Sequence, residues 1–355
     1  MYLVIMAGGV GKRFWPRSRK DNPKQFLNIV SDKSMLKLTF NRLKKISSTD
    51  KIFVVAGEHL REKIYNELEE LPEGNYISEP SGKSTAPCIG LAAAVIKKRD
   101  PEAVIGIFPA DHLIKNDEKF IQCVKTGEKA ARQNEALVTF GIEPTRPATG
   151  YGYIQYTESD VIEKGVHKVK TFAEKPDKDT AKKFLEHGNF LWNSGMFIWK
   201  ADIILEKIEK YLPDLGHSLN KIYAALDQQD YPEKLQQEWS TIRSQSIDYG
   251  VMEKADNVYV VQSEFSWNDV GSWDVVYELE AKDKNRNVIK GKNIKSLETE
   301  GCYIHSDGAL ISTIGVKDLI IVQEKDAILI AKKGKTETIK KLVNRLKCEG
   351  KEEYL

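Results

Sequence analysis

A glycine turn and three cations stand close together near the start of the chain: Gly8-Gly9-Val10-Gly11 runs straight into Lys12 and Arg13, and Lys24 follows. Glycines let backbone N–H groups approach phosphate oxygens, since no Cβ intervenes. Arg13 and Lys24 supply charge that amides alone cannot. Two better-known phosphate loops are excluded by spacing. A dinucleotide fingerprint needs glycine where Phe14 stands, and a P-loop built on Gly82-Lys83-Ser84 needs glycine where Ile77 stands. A plain glycine-rich turn after a strand stays open as the alternative.

Carboxylates occupy two other promising places. Asp111 follows the apolar run that ends in Phe108-Pro109-Ala110, where a strand would deliver it to a ligand edge; turn or helix-cap duty is the competing reading. Asp269 lies in Trp267-Asn268-Asp269-Val270-Gly271-Ser272-Trp273, which also reads as a tight turn with a packed aromatic wall. If the two converge, they can hold Mg²⁺ against a triphosphate, because a hard cation takes carboxylate and phosphate oxygens together. The spacing leaves that convergence open. Glu174-Lys175-Pro176 offers an acid for sugar hydroxyls and a base for a phosphate, or else an exposed ion pair. Asn193 beside Trp192 suits a hydroxyl-rich ligand, and Thr149-Gly150-Tyr151-Gly152 presents open amides or a β-turn.

These residues need a frame. Apolar runs at 2–7, 51–56, 103–108 and 136–142 alternate with helical patterns at 34–46, 58–70, 85–99 and 117–132, the rhythm of a mostly parallel sheet with crossover helices. The third helix should be capped by Ser84 or Thr85, with Pro87 in its first turn. Loops 8–25, 79–87 and 109–112 should then be neighbours at the carboxyl edge. Strand-like segments at 151–156 and 166–173, then helical patterns at 178–187 and 201–254, read as an insertion covering a pocket. The polar break 283–287 divides a domain over 1–282 from a small β-rich, solenoid-like unit over 288–355 that closes on a helix near 336–347.

With 355 residues, 30% charged and a net charge of only +2, the chain gives no electrostatic case for a nucleic-acid or membrane partner. Cys88, Cys123, Cys302 and Cys348 are scattered without a C-x-x-C pair, as expected of a cytoplasmic protein.

Taken in order, Gly8 to Arg13, Trp15-Pro16-Arg17-Ser18-Arg19, Pro23-Lys24-Gln25-Phe26, Glu79 to Pro87, Asp111, Phe172 to Pro176, Trp192 to Phe197, Ile247 to Lys254 and Trp267 to Trp273 resemble the sugar-nucleotidylyltransferases, and within them the branch acting on GTP and mannose 1-phosphate. The resemblance implies a Rossmann-like α/β fold with a mixed, mostly parallel sheet, and a homodimer. It implies that Gly8, Gly9, Gly11, Arg13 and Lys24 hold the GTP phosphates while Gly82, Ser84 and Thr85 approach guanine. Asp111 and Asp269 would carry Mg²⁺; Gly150, Glu174 and Asn193 would contact mannose, and Lys175 its phosphate. Lys12 stands where the family usually has Thr or Ser, and Ser84 where it often has Asn, so the choice of base stays open. So do another sugar 1-phosphate, such as a heptose or glucose, and a non-catalytic subunit that binds a nucleotide sugar. The stretch after 288 is too short for the cupin domain of bifunctional relatives, so no isomerase activity is expected.

Overall fold

Continuous apolar runs become strands where both faces of a sheet are covered, and the N-terminal half follows that rule. In the computed structural model, which describes residues 1–355, Leu3, Val4 and Ile5 of β1 (Tyr2–Met6) are fully buried. The same holds for Phe53, Val54 and Val55 of β2 (Ile52–Gly57). The sheet continues with β3 (Tyr76–Glu79), β4 (Val104–Pro109), β5 (Leu137–Ile142), β6 (Tyr153–Glu163), β7 (Val166–Ala173), β8 (Phe190–Lys200) and β9 (Val258–Ser263). Its order is β3-β2-β1-β4-β8-β5-β9-β7-β6. The first four strands are parallel, and β8 runs antiparallel between β4 and β5. The architecture is therefore the mixed, mostly parallel α/β sheet that the sequence implies.

β1 connects toward β2 on one side and lies beside β4 on the other, which makes the β1/β4 junction the topological switch point. Met6 is in register with Pro109, and the Ala110 amide donates to the Met6 carbonyl at 3.0 Å, so both strands end level. The glycine turn and the Asp111 loop start from these two ends.

The expected helix cap needs correction. Ser84 precedes the helix Thr85–Arg99 but sits at φ 70° and makes no cap bond, while the Thr85 hydroxyl instead accepts from the Ile247 amide at 2.8 Å. The helical stretch 201–254 resolves into helices Ala201–Tyr211, Pro213–Ala225 and Tyr231–Thr241, followed by a π-helical turn over Asp248–Met252.

By internal contacts the chain forms two compact units, one of residues 1–8, 40–110 and 114–267, the other of 9–39, 111–113 and 268–355. The polar break at 283–287 lies inside the second. That unit contains β10 (Val288–Lys290), β11 (Ile294–Leu297), β12 (Tyr303–Ser306), β13 (Ile311–Ile314), β14 (Leu319–Glu324) and β15 (Ala327–Lys332). Val288, Tyr303 and Ile320 align across parallel β10, β12 and β14, and Ile294 aligns with Ile311 across β11 and β13, which is the stacking of a short β-solenoid. The antiparallel pair β14/β15 and a helix over Ile339–Cys348 finish it.

The segment after the glycine turn belongs to this unit by packing. Phe14 meets Trp273 edge-on at 5.0 Å, and Trp273 meets Tyr303 at 5.4 Å. The Trp15 indole donates to the Tyr354 carbonyl at 2.7 Å, while Arg17 pairs with Glu324 at 3.1 Å and Arg19 with Asp326. Trp273 is fully buried at the centre of these contacts. Trp273→Ala is expected to destabilise the second unit by about 3–5 kcal/mol, the usual cost of emptying a buried aromatic site. Urea unfolding checks it: a midpoint within error of wild type would contradict this packing.

Candidate active site

Gly11 closes the glycine turn. It has φ 70°, and a Cβ there would overlap the Lys24 side chain, so only glycine lets the two segments lie this close. The Lys24 amide also bonds the Val10 carbonyl at 3.3 Å. From this position the Lys24 ammonium donates to Asp111 Oδ2 at 2.7 Å and to the Asp269 backbone carbonyl at 2.7 Å, with the Phe14 ring 5.5 Å away. One cation thus ties together the two acidic loops.

Gly11, Arg13, Lys24, Asp111 and Asp269 line one cavity of about 300 Å³, with Lys12, His112, Gly271 and Lys340 completing the wall. Burial works to raise the Asp111 carboxyl, but the Lys24 ammonium, with His112, outweighs it and holds the group below the usual carboxylate range. Asp269 is presented by a strained turn: Val270, fully buried, sits at φ 45°, and its amide is held by Asn268 Oδ1 at 2.7 Å. A larger groove of about 720 Å³ beside helix Asp117–Asn134 takes in none of the motif residues, and its Lys119 and Lys129 are paired with Glu264 and Glu163.

In the first unit, Gly8 lies over the end of β3, where its missing Cβ leaves 3.1 Å to Glu79 Oε2. Glu79 is 3% exposed, and its Oε1 has no hydrogen-bond partner. Burial pushes this carboxyl up to about 7, against the lowering effect of a hydrogen bond with Cys88. The neighbouring loop is pinned from outside: the Trp239 indole donates to the Ser81 carbonyl at 2.8 Å and the Ala86 amide to the Gln245 carbonyl at 3.0 Å. Gly82, Ser84 and Thr85 belong to it, and Gly82 faces open space.

A second polar cluster in the same unit gathers Glu174, Lys175 and Asn193. Lys175, at φ 49°, pairs with Glu174; the carboxylate is nearly buried and the ammonium exposed. Gly152 makes room for the Glu174 carboxylate, and its carbonyl accepts from the Asn193 amide at 2.8 Å. Asn193 Nδ2 donates to Asp248 Oδ1 at 2.8 Å, while its Oδ1 accepts from Thr139 and Gly195. Burial, reinforced by the nearby Glu174 charge, raises the Asp248 carboxyl to about 6. Tyr151, next to the open Gly150, packs its ring on Trp192 at 5.0 Å and Trp267 at 5.3 Å. The result is an aromatic floor with carboxylate, amide and ammonium groups beside it, which suits a phosphorylated polyol.

Sequence reasoning did not single out Glu79, Asp248 or Lys340. Glu79 opens the segment Glu79 to Pro87 and Asp248 lies in the segment Ile247 to Lys254, so both fell within quoted motifs without being given a role; Lys340 carries no local signal.

Residues 2–286 match the family model described as nucleotidyl transferase, and residues 291–346 match the MannoseP isomerase/GMP-like beta-helix domain. The chain is 38% identical over 359 residues to a mannose-1-phosphate guanylyltransferase of Salmonella montevideo, covering 99% of this chain and 75% of that protein. Identity is 37% over 361 residues to the mannose-1-phosphate guanylyltransferase of Escherichia coli (strain K12), with 100% and 75% covered. A solved structure from Thermus thermophilus, named as a mannose-1-phosphate geranyltransferase, superposes with a TM-score of 0.87 at 30% identity, covering 98% of this chain and 99% of that one.

Burial of Glu79 has a measurable consequence. Its native carboxyl holds a proton up to about pH 7, whereas an unfolded glutamate releases it near about 4.3. Folded-state stability should therefore fall as pH rises through that window, by about 4 kcal/mol in all. Glu79→Gln should remove this loss, so the variant gains on wild type between pH 4 and 7 in chemical denaturation; parallel pH profiles would contradict it.

Proposed function

The chain belongs to the nucleotidyl transferase family, and from that membership we propose that it transfers GMP from GTP to α-D-mannose 1-phosphate, giving GDP-mannose and pyrophosphate. The observation that carries the reading is the single cavity shared by Arg13, Lys24, Asp111 and Asp269, set in a chain similar along its whole length to named guanylyltransferases.

An oxygen of the sugar phosphate attacks the α-phosphorus of GTP in line. A new P–O bond forms as the bond from that phosphorus to the bridging oxygen breaks, and its electron pair leaves with pyrophosphate. The attacking group is already anionic, so no enzyme nucleophile or base is required. The protein's task is alignment and charge neutralisation. Arg13 and the glycine-turn amides of Gly8, Gly9 and Gly11 hold the departing phosphates. Lys24 keeps Asp111 ionised and fixes the Asp269 turn. The donor set fits Mg²⁺: two carboxylates on one cavity wall are hard oxygen ligands, and this ion fills its other positions with water and phosphate oxygens. Bound by Asp111 and Asp269, it would neutralise charge on the phosphoryl oxygens.

Glu79, charged when it accepts donors, matches the N1–H and N2–H groups of guanine, with Gly82, Ser84 and Thr85 along the base. Gly150, Glu174 and Asn193 take mannose hydroxyls, and Lys175 takes the sugar phosphate after leaving Glu174. We further propose that the chain works as a homodimer in the cytoplasm. Four free cysteines support the compartment, and the exposed Leu297, Ile314, Ile328 and Ile330 of the solenoid support association. No helix is long and apolar enough to cross a membrane. The division into modules 1–282 and 288–355 is supported by family matches that meet between 286 and 291.

A pyrophosphate-release panel pairing GTP, ATP, UTP and dTTP with several sugar 1-phosphates tests the assignment. GTP with mannose 1-phosphate should exceed every other pair, and preference for another pair would overturn it. Asp111→Asn should lower kcat by at least about 100-fold, as expected when transition-state charge stabilisation is lost, while leaving mannose 1-phosphate affinity nearly intact. Wild-type turnover in that variant would remove Asp111 from the chemistry.

A further inference from the structure

The cavity that holds Lys24 and Asp111 has a wall from the far end of the chain. Lys340 lines it from the first turn of the helix Ile339–Cys348, whose backbone is fixed by buried Ile339 and Val343. The other cations of that wall are engaged. Lys24 donates to Asp111, Arg13 pairs through Nε with Glu337 at 2.6 Å, and Lys12 donates to Asn344 at 3.0 Å. Lys340 is exposed and makes no ion pair. Four cations, Lys12, Arg13, Lys24 and Lys340, face two carboxylates, Asp111 and Asp269. Such an excess suits a polyphosphate.

We propose that Lys340 binds the terminal phosphates of the nucleotide and the pyrophosphate that leaves, so that the C-terminal helix is part of the nucleotidyl-transfer site. The proposal deepens the function given above and rests on that reading for the identity of the nucleotide. A phosphate group meets the Lys340 ammonium without first breaking an ion pair. Arg13, by contrast, must leave Glu337, one turn of chain before Lys340, to reach the same anion. Glu337 therefore holds Arg13 in place until the polyphosphate takes over, and both contacts come from the C-terminal unit.

The test is calorimetric titration of inorganic pyrophosphate, with Mg²⁺ present, into the full chain and its Lys340→Met and Lys340→Arg variants. Losing one charge-assisted contact should weaken pyrophosphate binding on the order of tenfold in Lys340→Met. Lys340→Arg should stay close to wild type, and both variants should keep the wild-type melting temperature because the side chain is exposed. Unchanged binding in Lys340→Met, an equal loss in Lys340→Arg, or no binding by wild type would overturn the proposal. A parallel assay of GDP-mannose formation separates the two readings. Wild type that makes no GDP-mannose but loses pyrophosphate binding with Lys340→Met would sink the proposed function and leave Lys340 standing. Active wild type with unaltered pyrophosphate binding in Lys340→Met would do the reverse.

Discussion

A buried ammonium must be paired, and the second unit is organised around one that is. Lys24 is 5% exposed, and its charge is offset by the Asp111 carboxylate and the Asp269 carbonyl. A lone ammonium at such depth would cost several kcal/mol, so wherever Lys24 is held, both acidic loops are held with it. Gly11 permits the approach and Phe14 gives the ammonium a ring to lie over. The same segment continues into Trp15, Arg17 and Arg19, which bind it to the C-terminal strands and tail. The run Trp15 to Arg19 thus serves as an anchor for the glycine turn.

Environment sorts the carboxylates into different roles. Asp111 has a cation beside it and is held below the ordinary range. Glu79 is buried with no cation beside it, and Asp248 is half-buried beside the Glu174 charge, so their carboxyls rise to about 7 and about 6. Lowered groups suit a metal or a phosphate-binding cation; raised ones gain most when a ligand brings donors to them. Lys12 is accounted for locally: it reaches Asn344 and joins the cavity wall.

The strands at 2–6, 52–57, 104–109 and 137–142 were legible because each is a mostly apolar run buried on both faces, with Thr139 the one polar side chain in the last. The helix Thr85–Arg99 was legible from its helical pattern and from Pro87 in the first turn, though not from the cap expected of Ser84 or Thr85. β3 has only four residues, and β9 follows a long helical stretch, so neither stands out locally. The recruitment of residues 9–39 to the C-terminal unit could not be read, because it depends on pairs such as Arg17–Glu324 and Trp15–Tyr354 that join opposite ends of the chain. The motif residues Arg13, Lys24, Asp111 and Asp269 were visible by type; that one ammonium joins two of their loops is a tertiary fact. The roles of Glu79 and Asp248 were hidden for the same reason, since their unusual protonation comes from burial and not from neighbours in sequence.

Asp111 and Asp269 are proposed to serve one cation site. Mn²⁺ affinity, measured by electron paramagnetic resonance with a non-cleavable GTP analogue present, tests this through Asp111→Asn, Asp269→Asn and the double variant. Wild type should hold one tightly bound ion, with a loss of at least about tenfold in each single variant and little further loss in the double, because coupled ligands of one site are not additive. Two ions lost independently, or affinity unaffected by either change, would contradict it.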